Sequence, residues 1–338
     1  MRTNSAIPLI RAGLLNPFLA FLGRVGAPIE RNLEQHGLPV YALDNPNTLI
    51  STRRHMDFIG SMARSQGIED LGWRVAQGAE IGPISTGLHK AILNSSTLYE
   101  ALQSMCSFIR RESTQAEMWL TESPETVYLC HRGTFAPGRP GQDDVSLWRV
   151  RTTLSIIRQF AGEDWRPDEI CFALAKDPGT VAQESLRDCR ISLTSDYGWI
   201  ALPRTIVSKT PTRPIDAQIE SKGSKVQDHA ADLIASLKQL LEPYLYEGVP
   251  RVDEAADMAG LSRRTFQRRL RKAQVAYRDV VQQARFEAAK RGLENPDNRI
   301  MDVAHYVGYD DVSHFCRFFR RVAGATPSAF RQSRDSGS

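Results

Sequence analysis

Two hydrophobic periods divide the chain. Through residues 25–111 the apolar positions recur mostly at helical spacing. Residues 53–65 carry Met56, Ile59, Met62 and Ala63, and residues 97–110 carry Leu98, Ala101, Leu102, Met105, Cys106 and Ile109. Each stripe predicts an amphipathic helix, and Thr97 followed by Glu100 supplies a capping-box start. The period then shortens to two. Residues 117–121 and 126–131 flank Glu122-Ser123-Pro124-Glu125, the pattern of a β-hairpin. A further helix fits residues 144–160, and short strands fit 169–175, 190–193 and 199–202. Helices mixed with a modest sheet predict an α+β domain over residues 1–205.

Residues 207–225 are rich in Thr, Pro, Ser, Gly and Lys, centred on Thr210-Pro211-Thr212-Arg213-Pro214. This composition reads as a linker, which we place at 206–225. From Val226 onward the pattern is helical nearly to the end, so residues 226–338 are expected to form an all-α domain.

Inside that domain a compact design occurs twice, near residues 251–273 and 300–322. Val252, Ala255, Ala256 and Ala259 mark a short helix, Gly260 a left-handed turn, and Ser262 a cap that opens a second helix. The second helix has two faces. Phe266, Leu270 and Ala273 suit a core, whereas Arg264, Gln267, Arg268 and Arg271 point away from it, with Arg263 beside them. In the repeat, Met301, Val303, Ala304 and Val307 mark the first helix and Gly308 the turn. Tyr309 takes the place of Leu261, and Asp311 lies near the cap. Phe315 and Phe319 then correspond to Phe266 and Leu270, and Arg317 and Arg320 to Arg268 and Arg271. Between the two units, residues 277–293 predict a helix with Tyr277, Val280, Val281, Ala284 and Ala288 on one side, ended by Asn295-Pro296. Such a rod would hold two basic helices at a set separation.

This is the composition of a helix that enters the major groove of DNA. Arg reads guanine through two hydrogen bonds, Gln reads adenine, and further Arg or Lys neutralise phosphate. A merely solvated basic face is the plainer alternative, but it leaves the repeated helix and glycine turn unexplained. Charge agrees with the division. From Arg251 to the end there are 17 Lys/Arg against 11 Asp/Glu, whereas residues 1–250 hold 26 against 28. A basic C-terminal third on a near-neutral body points to a polyanion at one end.

The five cysteines, Cys106, Cys130, Cys171, Cys189 and Cys316, are scattered without Cys-x-x-Cys or zinc-finger spacing. The expectation is a reducing, cytoplasmic compartment with no metal and no cofactor. Arg2 and Arg11 before the apolar run at 12–23 imitate a secretion signal, but Asn16-Pro17 interrupts the run. No segment approaches the about 20 apolar residues of a membrane span.

The sequences Gly260-Leu-Ser-Arg-Arg-Thr-Phe-Gln-Arg-Arg-Leu, Gly308-Tyr-Asp-Asp-Val-Ser-His-Phe-Cys-Arg-Phe-Phe-Arg-Arg and Gly324-Ala-Thr-Pro-Ser-Ala-Phe-Arg strongly resemble the DNA-binding domain of AraC/XylS-type transcription regulators. The resemblance implies reading helices in successive major grooves, about 34 Å apart on one face of the duplex. It also implies Arg264, Gln267 and Arg268 as base readers in the first unit, with Val312, Ser313, Cys316 and Arg317 in the matching places of the second. Val312 and Cys316 make no bidentate contacts, so the second unit would read thymine methyls, or grip phosphate through Arg317, Arg320 and Arg321. Leu71-Gly-Trp-Arg, Gly82-Pro-Ile-Ser-Thr-Gly and Ser96-Thr-Leu-Tyr-Glu-Ala-Leu are more loosely similar to the arabinose-binding-like effector domain of one branch of that family. The implied protein is an effector-sensing activator that binds double-stranded promoter DNA as a homodimer and acts with RNA polymerase.

No nucleophile elbow, phosphate loop, zinc-protease motif or dinucleotide fingerprint occurs, and His36, His55, His89 and His131 fall singly on separate predicted elements. We therefore expect no catalytic residues. The sharpest enzymatic alternative is a DNA-repair alkyl acceptor fused to a helix-turn-helix domain, but neither Cys130-His131 nor Cys171-Phe172 offers the activated cysteine it needs. For an effector pocket the candidates are Trp119, His131, Trp148, Arg149 and Thr152, with Arg149 placed to pair with an anion. The competing expectation is a domain that docks a protein partner, or only dimerises, and takes no metabolite.

Overall fold

A computed structural model describes residues 6–40, 45–77, 85–211 and 232–335. It divides the chain into two compact units, Pro8–His229 and Ala230–Ser338, the latter with Met1–Ile7. The first is α+β and the second all-helical.

In the first unit a short ribbon pairs β1 (Leu9–Arg11) antiparallel with β2 (Leu49–Ser51). Three-residue strands buried throughout leave no alternation, and so the sequence pattern did not reveal them. The apolar run at 12–23 becomes a helical turn and α1 (Asn16–Arg24), which buries Phe18 and Leu22. There follow α2 (Ile29–Gln35), α3 (Thr52–Ser65), α4 (Leu71–Ala76), α5 (Thr86–Leu93) and α6 (Leu98–Glu112). The cap expected from sequence is present at α6, and α3 has one as well. Ser51 accepts from the Arg54 amide at 3.3 Å and Thr97 from the Glu100 amide at 3.3 Å.

The hairpin is β3 (Glu117–Glu122) and β4 (Thr126–Arg132), and α7 (Gln142–Ala161) follows it. Next come β5 (Glu169–Ala173), α8 (Thr180–Ser185), β6 (Arg190–Thr194), β7 (Gly198–Pro203) and α9 (Arg204–Val207). The five strands form one sheet in the order β3-β4-β7-β5-β6, with only the β5–β6 pair parallel. Val127, Leu129, Ile170, Phe172, Ile200 and Leu202 are buried in one cluster with Leu147, Val150, Leu154 and Ile157 of α7. A second cluster gathers Phe18, Met56, Phe58, Met62 and Trp148. The α7 helix belongs to both.

Ile206 and Val207 lie in the first cluster, so the opening of the segment expected to be a linker is helical and packed. Two apolar side chains in succession outweigh the polar residues that follow. Residues 212–225 of that linker, 226–231 of the expected helical domain and Gly82-Pro83-Ile84 lie outside the described residues.

The second unit comprises α10 (Leu233–Leu241), α11 (Val252–Met258), α12 (Arg263–Lys272), α13 (Tyr277–Glu294), α14 (Ile300–Tyr306), α15 (Val312–Ala323) and α16 (Pro327–Asp335). Two positions expected in its core are exposed. Ala273 is the C-cap of α12, beyond the last full turn, and Met301 is 48% exposed because Ile300 takes the inward place at the start of α14.

The Leu71-Gly-Trp-Arg sequence has a packing reason. A Cβ on Gly72 would meet the Asp144 carbonyl oxygen and come within 3.0 Å of the Trp148 nitrogen, so α4 lies directly against the backbone of α7. Gly72→Ala is expected to destabilise this unit by about 1–3 kcal/mol through overpacking. Differential scanning calorimetry should show a fall of several degrees in Tm, and an unchanged Tm would mean that α4 moves aside freely.

Candidate nucleic-acid interface and ligand cavity

The two turns in the second unit are closed by the same bonds. Gly260 (φ +69°) donates to the Asp257 carbonyl at 2.8 Å and Leu261 to Ala256 at 2.9 Å. Gly308 (φ +82°) donates to His305 at 2.9 Å and Tyr309 to Ala304 at 2.9 Å. Both glycines occupy the left-handed region that other residues enter at a cost. The second turn is one residue longer, with Asp310 inserted before the cap. Ser262 caps α12 by accepting from Thr265 N–H at 3.3 Å, and Asp311 caps α15 by accepting from Ser313 N–H at 2.6 Å and His314 N–H at 3.4 Å. Those backbone donors hold the Asp311 carboxyl below the usual range.

Burial then sorts each helix into two faces. Phe266 and Leu270 are buried under α12, and Phe315, Phe318 and Phe319 under α15. Tyr309 stacks on Phe318 at 5.3 Å, and the Arg285 guanidinium lies 5.2 Å from the Tyr309 ring. On the other side, Arg264, Arg268, Arg271, Ser313, Arg317, Arg320 and Arg321 are exposed, and Gln267, Val312 and Cys316 are half-buried. The first-unit and second-unit candidates thus lie on the outward side of one helix each. They are not equally free. Arg263 pairs with Asp253 of α11 at 3.0 Å, and Arg321 donates to Gln282 of α13 at 3.2 Å. Arg271 turns back to the Gln267 carbonyl at 3.4 Å, whereas Arg264, Arg268, Arg317 and Arg320 make no ion pair among the described residues.

Between the units, α13 runs 18 residues, about 27 Å at 1.5 Å per residue. Its buried face is Val280, Ala284, Ala288, Ala289 and Leu293, with Tyr277 half-buried and in ring contact with Phe266 at 6.2 Å. The terminal Thr326-Pro-Ser-Ala-Phe-Arg acts as a clasp. Thr326 accepts from Ala329 N–H at 3.2 Å, Phe330 packs on Phe319 at 5.5 Å, and Arg331 donates to the Asn298 carbonyl at 2.7 Å. Arg331 is accordingly structural.

In the first unit a cavity of about 90 Å³, partly open to solvent, lies between the two hydrophobic clusters. Trp148, Arg149 and Thr152 line it on one stripe of α7, as expected. Trp119 does not. The β3–β4 register pairs Met118 with His131 and Trp119 with Cys130, so alternation puts Trp119 on the opposite face of the sheet from His131. There it packs against Tyr197 at 5.2 Å and under Arg132 at 5.6 Å. His131 shares the cavity side with Met118 but sits behind the lining, buried near Arg149.

The cavity also contains residues that the sequence reading passed over: His55, Glu112 and Ser85, besides Phe18, Met105 and Met118. They come from α1, α3, α6, β3 and the cap of α5, and no local period relates such distant segments. Glu112 accepts from Ser85 Oγ at 2.7 Å and lies 3.9 Å from Arg11, with burial raising its pKa. Arg149 is different. Burial lowers its pKa to about 10, and no hydrogen bond or ion pair reaches it from the described residues. Trp148 Nε1 and Thr152 Oγ1 are likewise buried without partners. Among the described residues no cluster of His, Cys, Asp or Glu could hold a metal ion, and no helix is long and apolar enough to cross a membrane.

Comparisons with known proteins follow the same division. A helix-turn-helix domain model matches residues 255–333, and the model for the arabinose-binding domain of AraC transcription regulators, N-terminal, matches residues 26–205. The transcriptional activator NphR of Rhodococcus sp is 32% identical over 104 residues, 31% of this chain and 31% of NphR. The raffinose operon transcriptional regulatory protein RafR of Pediococcus pentosaceus is 41% identical over 49 residues, 14% of this chain and 18% of RafR. The chain thus spans less than a third of the length of these curated relatives. Among solved structures, that of the transcriptional regulator CdpR from Pseudomonas aeruginosa aligns over 94% of this chain and 97% of its own, at 18% identity and a TM-score of 0.41.

Two predictions arise from these sites. Arg268→Ala should cost about 1–3 kcal/mol of DNA affinity and relax preference at one base pair. Arg263→Ala should cost less, because Asp253 already holds that guanidinium; quantitative gel-shift titration on variant sites would read both. The second concerns pH. Burial lowers the pKa of His55 from 6.5 to about 4, against a raising contact from the Leu14 carbonyl; burial and then Arg149 lower that of His131 to about 3. Unfolded, both histidines take up protons below pH 6.5, so their contribution is intact above that pH and declines as pH falls towards 4. Asp144, raised to about 6 by burial, acts in the opposite direction. His131→Gln should therefore flatten the acid side of the Tm–pH profile, each histidine contributing up to about 1.4 kcal/mol per pH unit. An unaltered profile would mean that His131 is solvated in the native state.

Proposed function

Because the chain belongs to the AraC family of transcription regulators, with an arabinose-binding-type N-terminal domain and a helix-turn-helix domain, we propose that it binds specific promoter DNA through α12 and α15 and activates transcription in response to a small molecule. The observation that carries the reading is the repeated sorting of α12 and α15: aromatic rings buried beneath, and Arg264, Arg268, Arg317 and Arg320 outward with no ion pair among the described residues. In the first unit Arg264, Gln267 and Arg268 read bases and Arg271 meets phosphate. In the second, Val312 and Cys316 meet thymine methyls, Ser313 and Arg317 the neighbouring edges, and Arg320 and Arg321 the backbone. On this reading the 27 Å rod of α13 sets the spacing between them. Any mismatch with the about 34 Å turn of the duplex is absorbed by bending, at about 1–6 kcal/mol.

The regulator works as a homodimer on two half-sites and acts with RNA polymerase, and its target places it in the cytoplasm. Activation is the direction suggested by NphR, which is named an activator. No catalytic role is assigned. The effector site is the cavity against α7, where Trp148, Arg149 and Thr152 supply polar groups on an apolar wall. Ligand coupling of about 1–3 kcal/mol would change promoter occupancy by 5- to 150-fold.

The test is the salt dependence of binding by the full chain. With six to ten phosphate contacts, affinity should fall by about 10³- to 10⁵-fold between 50 and 200 mM salt, and Arg320→Ala should reduce the slope by about one. An affinity indifferent to salt would contradict the proposal.

A further inference from the structure

The cavity against α7 combines an apolar wall with polar groups that lack acceptors. Trp148, Arg149 and Thr152 occupy successive places on one stripe of the helix. The indole Nε1, the guanidinium Nη1 and the Thr152 hydroxyl are all buried with no hydrogen-bond partner. The buried arginine elsewhere in this unit is treated otherwise. Arg11 donates to the carbonyls of Arg111 at 2.7 Å and Asn47 at 2.8 Å, and pairs with Glu112. A buried arginine that only supports the fold is hydrogen-bonded in this way, because a desolvated charge without a partner is costly. Arg149 is half-buried, and its Nη1 carries that cost with no partner from the described residues, on the surface of a cavity.

Charge specifies the missing partner. Arg11 and Glu112 close on each other at one end, and burial keeps His55 and His131 in their neutral forms. One positive charge is left over, at Arg149. The unsatisfied groups on its own stripe of α7, the Trp148 indole N–H, the Arg149 guanidinium and the Thr152 hydroxyl, can all donate, which calls for a planar acceptor with two oxygens and one negative charge. The rest of the lining is dominated by side chains such as Leu14, Phe18, Met105 and Ile109, which reward an apolar body and offer little to a sugar or a second charge.

We infer that this cavity is built for an apolar monocarboxylic acid, its carboxylate against Arg149, Thr152 and the Trp148 indole N–H and its body among the apolar side chains of α1 and α6. The inference rests on the effector reading above and names the ligand class for it. The bound acid supplies the absent countercharge, so the occupied unit is more stable than the empty one. A residue held for binding at the expense of stability has a recognisable signature: its removal strengthens the empty protein while abolishing the response.

The test uses the full chain without DNA, with thermal denaturation and calorimetric titration against octanoate, octan-1-ol, octylamine and inorganic phosphate. Octanoate at a hundred times its Kd should raise Tm by about 5–10 °C. Octan-1-ol should bind at least about tenfold more weakly, since it lacks the charge-assisted bond, and octylamine and phosphate should leave Tm unchanged. Arg149→Met should raise Tm in the absence of ligand and weaken octanoate by at least about tenfold. Thr152→Val should fold normally and weaken octanoate by a smaller factor. Equal binding of octanoate and octan-1-ol, a response to phosphate alone, or no response to octanoate would each overturn the ligand class. So would an Arg149→Met chain that still binds octanoate as tightly. If octanoate fails while the chain still binds its promoter with steep salt dependence, the ligand class is lost and the regulator reading stands. If octanoate binds and no DNA is recognised, the reverse holds.

Discussion

The burial of an aromatic ring beneath each of α12 and α15 decides which side chains are available for recognition. With Phe266 at 0% exposure and Phe315 at 0%, neither helix has rotational freedom about its own axis. Full burial of a Phe side chain contributes about 1.5–3 kcal/mol, and turning the helix would forfeit it. Residues two places before and one or two places after each Phe must then face outward, which on α12 means Arg264, Gln267 and Arg268. The glycine turns set where the helix starts and the rings set how it is rotated. On the proposed reading, the base-reading surface is a by-product of core packing, and the arginines need only be long and charged.

The same physics produces the opposite arrangement in the first unit. There the helix that holds the core together, α7, also carries the polar groups that the core cannot satisfy. Leu147, Val150, Leu154 and Ile157 lock it to the sheet, so Trp148, Arg149 and Thr152 are presented to the cavity on a rigid frame. Gly72 and Gly141 bring neighbouring segments against it at backbone distance: a Cβ on Gly141 would collide with the Met56 carbonyl of α3. On the proposed reading, a ligand at Arg149 would touch a helix that packs against both hydrophobic clusters of this unit.

Sequence periodicity revealed much of this and failed at identifiable points. The helix-turn-helix units were visible because glycine, cap and ring recur in order, and the strands of the main sheet were visible by alternation. The first ribbon was not, since Leu9–Arg11 and Leu49–Ser51 are too short and too uniformly buried to alternate. Trp119 was grouped with His131 although the strand register separates them, an error of parity that only the pairing of Met118 with His131 resolves. Local reading found Trp148, Arg149 and Thr152 but not His55 or Glu112, which reach the same cavity from α3 and from the end of α6. Long-range convergence has no period. Exposed Met301 shows the converse: a position fitted to a helical stripe yields when a neighbour, Ile300, fills the inward place first.

The proposed function requires two outward helices to meet one duplex in adjacent grooves. Hydroxyl-radical footprinting of the purified chain on the DNA upstream of its neighbouring genes tests this most directly. It should show paired protections on one face of the helix, separated by about one turn of 10–10.5 base pairs within each half-site. Loss of one protection alone in Arg317→Ala, and of the other alone in Arg268→Ala, would assign each groove to its helix. Protections on opposite faces of the duplex, or a uniform footprint independent of sequence, would contradict it.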